Sequence, residues 1–279
     1  MLAWDLGRRQ LVLQRRPLVM GILNVTPDSF SDGGKHASPE RAIEVALQME
    51  SDGADIIDIG GESTRPYSDP VAATEETERV VPVIRGLATK LSIPISIDTS
   101  KASVAFASVN AGAEIVNDVT GLEGDPDMID VVKSTEVGVC VMHMQGTPQT
   151  MQDAPQYANV VEEILAYLIA RRDHCLSRGI AQARICLDPG IGFGKTHDHN
   201  LELLRHAARF RETGCPILIG HSRKGFIGHL LGDKSADRMA GTLGVSLAMA
   251  LAGANVLRVH DVKQTVDALR LFEASGGLD

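Results

Sequence analysis

Several features that the sequence lacks exclude classes of function. It has only four cysteines, with no CxxC or Cys/His ligand spacing, which favours reduced structural thiols over a zinc site or a disulfide framework: Cys140, Cys175, Cys186 and Cys215. It has no basic excess, because 27 Lys and Arg residues face 36 Asp and Glu residues and the net charge is −9. We therefore expect no nucleic-acid partner and no membrane-surface partner.

The sequence also lacks an uninterrupted apolar run and a linker. Its most apolar stretch, 239–257, is broken by glycines and by Thr242, Ser246 and Asn255, and this predicts a buried helix followed by a strand rather than a membrane span. Residues 1–17 show no signal-peptide core, so we expect a cytoplasmic protein. No low-complexity segment divides the chain. The prediction is one domain over 1–279.

Eight short apolar runs alternate with segments of helical spacing. This alternation predicts a parallel sheet covered by helices, and eight units in about 250 residues fit a closed (β/α)₈ TIM barrel, with a doubly wound open sheet as the alternative. Residues 1–17 precede the first run, and we expect them to form a hairpin that closes the bottom of a barrel spanning 18–279. The runs are VMGILNV, DIIDIG, PISIDTS, EIVNDV, VCVMHM, RICLDPG, PILIGHS and NVLRVHD.

Nearly every run ends in a polar residue, which favours the barrel. In a barrel the carboxyl ends of all strands meet at one mouth, where active sites form, whereas an open sheet would spread them along a line. The predicted mouth therefore carries Asn24, Glu62, Asp98, Asn117, His143, Asp188, Ser222 and His260.

Two carboxylates and an amide at this mouth suit a flat heterocycle. Asp188 offers two acceptors that match the adjacent N–H and NH₂ of a 2-amino-4-oxo ring, as in guanine or a pterin, and Asn117 can serve a neighbouring position. Asp98 could stabilise positive charge on such a ring. The alternative for each residue is a local role, as a turn or helix cap.

Basic side chains at the mouth indicate an anion. Arg65 follows the second run. Lys224 follows the seventh run, and the loop after the seventh strand commonly holds phosphate in barrels. Arg258 lies inside an apolar strand and needs a partner, which we expect to be an anion at the mouth. Arg223 is more simply a solvated surface residue.

Two long polar loops follow the first two runs and read as mobile lids. The first, TPDSFSDGGKHAS, has Phe30 at its tip, and the second is ESTRPYSDPV. Asn24, and more weakly Asp32 in the first lid, could hold Mg²⁺ together with substrate phosphates. The stretch LDPGIGFGKT is one residue away from a P-loop, but Pro189 replaces its first glycine, so it is not read as a phosphate cradle.

Seven motifs in this order resemble the dihydropteroate synthase family over about 18–273: GILNVTPDSFSDGG, DIGGESTRP, SIDTSK, MHMQGTPQTMQ, LDPGIGFGK, GHSRKGFIG and RVHDV. The resemblance implies a homodimeric TIM barrel that depends on Mg²⁺. It also implies the condensation of 6-hydroxymethyl-7,8-dihydropterin diphosphate with p-aminobenzoate. The products would be 7,8-dihydropteroate and diphosphate.

The resemblance also assigns residues. Asp98, Lys224 and Arg258 would be catalytic. The pterin would be held by Asp98, Asn117, Met142, Asp188, Phe193 and Lys224. The diphosphate would meet Asn24, Thr64, Arg65, Arg258 and His260, and the metal Asn24 and Asp32. Phe30, Pro66, Ser222 and Lys224 would frame p-aminobenzoate.

Two other functions remain open at this point. One is a methyltetrahydrofolate-binding methyltransferase domain, which shares the barrel and pterin site but does not need the first lid or a diphosphate cluster. The other is a non-catalytic pterin-binding paralogue, which has no use for leaving-group residues. His221 and Tyr67 depart from the family pattern and could reshape the p-aminobenzoate pocket.

Overall fold

The computed structural model describes residues 2–26, 39–233 and 235–278. Its strands are β1 (Ala3–Asp5), β2 (Gln10–Val12), β3 (Leu18–Asn24), β4 (Ile56–Gly60), β5 (Ile95–Asp98), β6 (Ile115–Asp118), β7 (Gly138–Met142), β8 (Ile185–Asp188), β9 (Leu218–Ile219) and β10 (Val256–Val259). Its α-helices are α1 (Pro39–Ser51), α2 (Ala73–Leu87), α3 (Ala102–Ala111), α4 (Met128–Thr135), α5 (Val160–Ser177), α6 (His197–Arg205), α7 (Gly225–Leu230), α8 (Met239–Leu251) and α9 (Val262–Ala274).

Strands β3 to β10 form a parallel barrel with helices between them, so the predicted (β/α)₈ architecture is confirmed. The hydrogen-bonded order is β8-β7-β6-β5-β4-β3-β10-β9. A parallel bridge between Leu187 and Ile217 joins the two ends of this series, and Leu187 N donates to Pro216 O over 2.9 Å. This contact closes the sheet, whereas the alternative open sheet would leave β8 and β9 as free edges.

The N-terminal hairpin covers the end of the barrel where the strands begin. Strands β1 and β2 pair antiparallel, and Trp4 and Leu6 are buried with Leu13 against first residues of barrel strands such as Ile56 and Ile115. Trp4 Nε1 donates to Arg184 O over 2.9 Å. The predicted bottom hairpin is confirmed, although Trp4 and Leu6 are the deepest contacts and Leu11 is only partly buried.

The segment 239–257 is a helix followed by a strand, α8 and β10, as its interrupted apolar pattern predicts. Thr242 and Ser246 are buried on the barrel side of α8. Within the described ranges, no helix combines the length and the apolar composition that crossing a membrane requires.

Candidate active site

Arg258 is the centre of a charged cluster at the barrel mouth. Its Nε donates to Asp58 Oδ2 and its Nη2 to Asp98 Oδ2, both over 2.6 Å. Two carboxylates of the protein are therefore partners of Arg258, and its contact with an anionic ligand stays a prediction. Two strand carboxylates thus lie against its positive charge, and its side chain remains 18% exposed among the described residues.

Burial changes the proton affinity of Asp98. Removal from water raises its pKa to about 7, the charge on Arg258 opposes this shift, and the neighbouring charge on Asp58 adds to it. The second oxygen, Asp98 Oδ1, is buried and has no hydrogen-bond partner among the described residues. Asp98 therefore has a free acceptor at the mouth and a protonation equilibrium near neutral pH.

Asn117 and Asp188, which are predicted to recognise a heterocycle, also lie at the barrel mouth. Asn117 is the penultimate residue of β6, and its Nδ2 donates to Asp58 Oδ2 over 3.2 Å. Asp188 ends β8, and its Oδ1 accepts the N–H of Gly190 over 2.7 Å. A Cβ placed on Gly220 would lie 3.9 Å from Asp188 Oδ2 and 4.0 Å from Lys224 Nζ, so both groups face the mouth beside this glycine.

The β8–α6 loop, 189–196, needs glycine because it approaches another backbone closely. Gly190 has φ +71°, and a Cβ on it would lie 1.9 Å from the carbonyl oxygen of His143. This explains the P-loop-like glycines as a backbone contact rather than a phosphate cradle. The contact places Phe193 beside Lys224, whose Nζ lies 4.5 Å from the ring centroid.

Lys224 is held on the same loop by a hydrogen bond from its Nζ to Ile191 O. Burial lowers the pKa of Lys224 to about 7; Asp188 opposes this change and Arg258 adds to it. The amine at the mouth is therefore divided between its charged and neutral forms near pH 7. An anionic ligand beside it would shift this balance towards the ammonium form.

Lys195 is a second buried amine on this loop. Its side chain is only 2% exposed. Its Nζ lies 2.8 Å from Phe193 O, 3.0 Å from His143 Nδ1 and 3.4 Å from His143 O. Burial lowers the pKa of Lys195 well below its usual value, and that of His143 to about 3. These contacts tie the loop to the end of β7, where Met142 is buried.

A cavity of about 530 Å³ lies beside the charged cluster. Its lining includes Thr64, Arg65 and Pro66 of the β4–α2 loop together with Phe193 and Lys224. Tyr67 also lines this cavity, with φ +63°, and its hydroxyl donates to Asp153 Oδ1 over 3.2 Å. The cavity thus brings together residues predicted for the diphosphate, p-aminobenzoate and the pterin.

Ser222 and His260 contact each other at the ends of the adjacent strands β9 and β10. His260 Nδ1 lies 3.1 Å from Ser222 Oγ. Burial lowers the pKa of His260 to about 4, and the nearby Arg258 and Arg223 add to the shift. The imidazole is therefore neutral at pH 7, so it can donate or accept a hydrogen bond but brings no positive charge to an anion.

His221 and Arg223 lie on either side of Ser222 and have structural partners. His221 is fully buried, and its Nε2 lies 2.9 Å from Ser246 Oγ of α8. It is not among the described residues that line the cavity. Arg223 Nε donates to Asp261 Oδ2 over 2.9 Å, so Arg223 is paired rather than simply solvated.

Only part of the predicted metal site is described. Asn24 ends β3, and a Cβ on Gly60 would lie 3.8 Å from Asn24 Oδ1 and 3.6 Å from Asp98 Cβ, so the amide borders the charged cluster. Phe30, Asp32 and the rest of the first predicted lid after Thr26 lie outside the described residues. Among the described residues, no group of three His, Cys, Asp or Glu side chains could hold an ion alone.

Two residues at the mouth were missed by the sequence analysis. Asp58 lies inside the apolar run DIIDIG, two residues before the run ends, and an acid at that place was the available signal. Lys195 lies in the P-loop-like stretch LDPGIGFGKT, whose pattern does not indicate that this lysine is buried. Both are buried among the predicted site residues.

Comparison with known proteins agrees with this geometry. Residues 20–260 match the family model described as pterin binding enzyme. The chain is 47% identical over 259 residues to dihydropteroate synthase of Escherichia coli strain K12, covering 93% of this chain and 92% of that protein.

Solved structures extend the similarity to the fold. Dihydropteroate synthase of Yersinia pestis, in complex with a sulfonamide drug, aligns with a TM-score of 0.92 at 42% identity and covers all of both chains. Dihydropteroate synthase of Xanthomonas albilineans, in complex with 7,8-dihydropteroate, aligns with a TM-score of 0.88 at 43% identity over 98% of each chain. The chain therefore belongs to the pterin-binding enzymes and, within them, to the dihydropteroate synthase family.

Proposed function

We propose that this chain condenses 6-hydroxymethyl-7,8-dihydropterin diphosphate with p-aminobenzoate to give 7,8-dihydropteroate and diphosphate. Membership of the dihydropteroate synthase family, a family of transferases, carries the proposal. The site supports it in chemical terms, because Asp98 Oδ1, an acceptor without a partner among the described residues, lies next to basic groups for a leaving anion. The bound dihydropteroate of the Xanthomonas relative is the product of this reaction.

The pterin is proposed to lie across the cluster formed by Asp98, Asn117 and Asp188. The two carboxylates supply acceptors for ring N–H and amine groups, and Asp98 Oδ1 lacks a partner among the described residues until a ligand arrives. Phe193 and Met142 provide apolar surface, and Lys224 contacts the ligand beside Phe193. Buried acceptors of this kind discriminate strongly against ligands that lack the matching donors.

The proposed reaction begins with loosening of the C–O bond at the exocyclic methylene of the pterin. Asp98 stabilises the positive charge that develops on the ring, and Arg258 and Arg65 stabilise the negative charge on the departing diphosphate. Thr64 and the neutral His260 contribute hydrogen bonds to that anion. The amine of p-aminobenzoate then attacks the methylene carbon and loses its proton after the C–N bond forms.

The p-aminobenzoate is proposed to occupy the cavity between the β4–α2 loop and Lys224. Pro66 and Phe193 line this space, and Lys224 can pair with the carboxylate of the substrate. Ser222 lies at the base of the same loop as Lys224. Phe30 belongs to this part of the proposal on the resemblance alone.

Mg²⁺ is proposed as the metal of the reaction, held by Asn24 and Asp32 with substrate phosphate oxygens. The described residues fit this only in part: Asn24 offers one neutral oxygen, so most ligands must come from the diphosphate and water, as is usual for Mg²⁺. When bound, the ion supplies charge neutralisation for the leaving group. The proposal further includes one pterin-binding domain over 1–279, a homodimer and a cytoplasmic location.

The test is the reaction itself. Purified protein is incubated with the pterin diphosphate, p-aminobenzoate and Mg²⁺, and dihydropteroate is measured by mass spectrometry, with controls that omit enzyme or Mg²⁺. We expect product that depends on both. Binding of the pterin diphosphate without product would indicate a non-catalytic paralogue, and transfer of a methyl group from methyltetrahydrofolate would indicate the methyltransferase alternative.

A further inference from the structure

Asp58 contacts two of the proposed substrate-binding residues but is itself inaccessible. Its side chain is 0% exposed, in the middle of β4. Its Oδ2 accepts from Arg258 Nε over 2.6 Å and from Asn117 Nδ2 over 3.2 Å. Its Oδ1 is buried without a partner among the described residues. The described hydrogen bonds of this carboxylate therefore go to side chains of the site, and its 0% exposure leaves it no surface for contact with a ligand.

Stability alone does not account for a carboxylate at this place. Removing a charge from water costs several kcal/mol, and a buried ion pair is often no more stabilising than apolar side chains of the same volume. Ile56, two residues before Asp58 and therefore on the same face of β4, is fully buried in the apolar cluster at the barrel bottom. An apolar residue would suit this strand equally well, so the acid needs a reason outside the fold.

The contacts supply that reason. Arg258 has an 18% exposed side chain and two carboxylate partners on different strands, Asp58 on β4 and Asp98 on β5. One anchor would let the guanidinium rotate about that bond, whereas two anchors fix its plane. Asp58 also receives the NH₂ group of Asn117, which leaves Asn117 Oδ1 to face the other way as an acceptor.

We propose that Asp58 is a positioning residue for the condensation: it aims the guanidinium of Arg258 and the amide oxygen of Asn117 at the pterin diphosphate without touching substrate. The inference rests on the proposed function. It predicts that Asp58 affects the pterin substrate and turnover but not p-aminobenzoate, since both side chains that it holds lie on the pterin side of the site.

The experiment compares wild type, Asp58→Asn and Asp55→Asn. The substitution Asp58→Asn keeps the side-chain volume and removes the charge. Asp55 is the matched control, because it lies just before the same strand at the opposite end of the barrel and accepts Val19 N over 2.8 Å. Orienting partners of functional side chains in metal sites are worth about 10- to 100-fold. We expect Asp58→Asn to lower kcat/KM for the pterin diphosphate by about that factor, with KM for p-aminobenzoate changed less than about threefold, and Asp55→Asn to match wild type.

A double-mutant cycle with Arg258→Met separates positioning from a general structural role. If Asp58 acts mainly through Arg258, then Asp58→Asn should lower kcat/KM for the pterin diphosphate by a much smaller factor in the Arg258→Met background than in wild type. Arg258→Met alone leaves Asp58 charged and buried without its cation, so Asp58→Asn should also raise the melting temperature of that variant. If the losses in kcat/KM simply multiply, or if KM for both substrates rises equally, Asp58 has no positioning role.

Failure of this inference can be told apart from failure of the proposed function. If wild type forms dihydropteroate and Asp58→Asn retains wild-type kcat and KM, only the role of Asp58 is overturned. If wild type forms no product, the proposed function is overturned. In that case the affinities of wild type and Asp58→Asn for the pterin diphosphate are compared by calorimetry. Weaker binding by Asp58→Asn would support the positioning role of Asp58, and equal affinities would rule it out.

Discussion

The close approach of Gly190 to His143 predicts how a single methyl group should affect the site. Gly190 has φ +71°, and an added Cβ would lie 1.9 Å from His143 O. Gly232, in the turn after α7, has nearly the same backbone, φ +70°, but an added Cβ there meets no described atom within 4 Å. Gly190→Ala and Gly232→Ala therefore share a conformational cost and differ in a steric one.

The shared cost is small. A left-handed conformation costs an L-residue about 1–2 kcal/mol. Alanine also reduces the conformational freedom of the unfolded chain, which stabilises the folded state by about 0.4–1 kcal/mol. The net loss for Gly232→Ala is then about 1 kcal/mol, which lowers the melting temperature by roughly 2 °C in a chain of this length.

The steric cost at Gly190 is larger because the neighbour cannot easily move. His143 N donates to Asp188 O over 3.0 Å, and Lys195 contacts the His143 carbonyl, so a displaced carbonyl disturbs both. Overpacking of this kind adds about 1–3 kcal/mol, for a total melting shift of roughly 4–8 °C. Displacement of Asp188 should also weaken pterin diphosphate binding by about tenfold, which corresponds to about 1.4 kcal/mol.

The assay is thermal unfolding of both variants, followed by calorimetric titration with the pterin diphosphate. Gly232→Ala should bind like wild type and serves as the control for backbone conformation. If Gly190→Ala melts and binds like Gly232→Ala, the 189–196 loop does not depend on this backbone contact, and our account of its glycines is wrong.

Two further predictions concern opposite ends of the barrel. Asp98→Asn should lower kcat more than pterin affinity, and equal losses would contradict the role of Asp98 in stabilising the cation. Burial raises the pKa of Asp98 from 3.8 to about 7, so wild-type kcat should fall as the pH drops through about 7. The free energy of unfolding of wild type should decline relative to that of the variant as the pH rises from 3.8 to about 7. At the bottom of the barrel, Trp4→Ala removes a fully buried ring and its hydrogen bond to Arg184 O. The free energy of unfolding measured by chemical denaturation should fall by about 3–5 kcal/mol, while kcat stays unchanged. A fall in kcat of the folded variant would show that the hairpin acts on the mouth.

The sequence predicts the barrel well because each strand is a short apolar run with a polar end. It carries little signal for α4 and α7, because their eight and six residues are too few for a clear helical period. Strand β9, with two paired residues, was found from its apolar run, and the pairing that closes the barrel depends on a contact the pattern does not encode.

The candidate site was predicted less completely because partners are chosen in three dimensions. An arginine in an apolar strand signals that a partner exists, but Asp58 and Asp98 are 200 and 160 residues away from Arg258. Similarly, Lys195 carries no sequence sign that it is buried against His143. The polar strand ends predicted which residues meet, whereas the bonds between them follow from the curvature and tilt of the closed sheet.

The same long separations mean that the charged cluster cannot form early in folding. Its members come from β4, β5, β6 and β10, so during synthesis Asp58 and Asp98 emerge from the ribosome long before Arg258 does. Until the last strand joins, two carboxylates face a half-formed barrel without their cation, which favours their protonated forms. A nascent chain should therefore gain affinity for the pterin only when the barrel closes, and from that moment substrate in the cell would stabilise the newly completed fold.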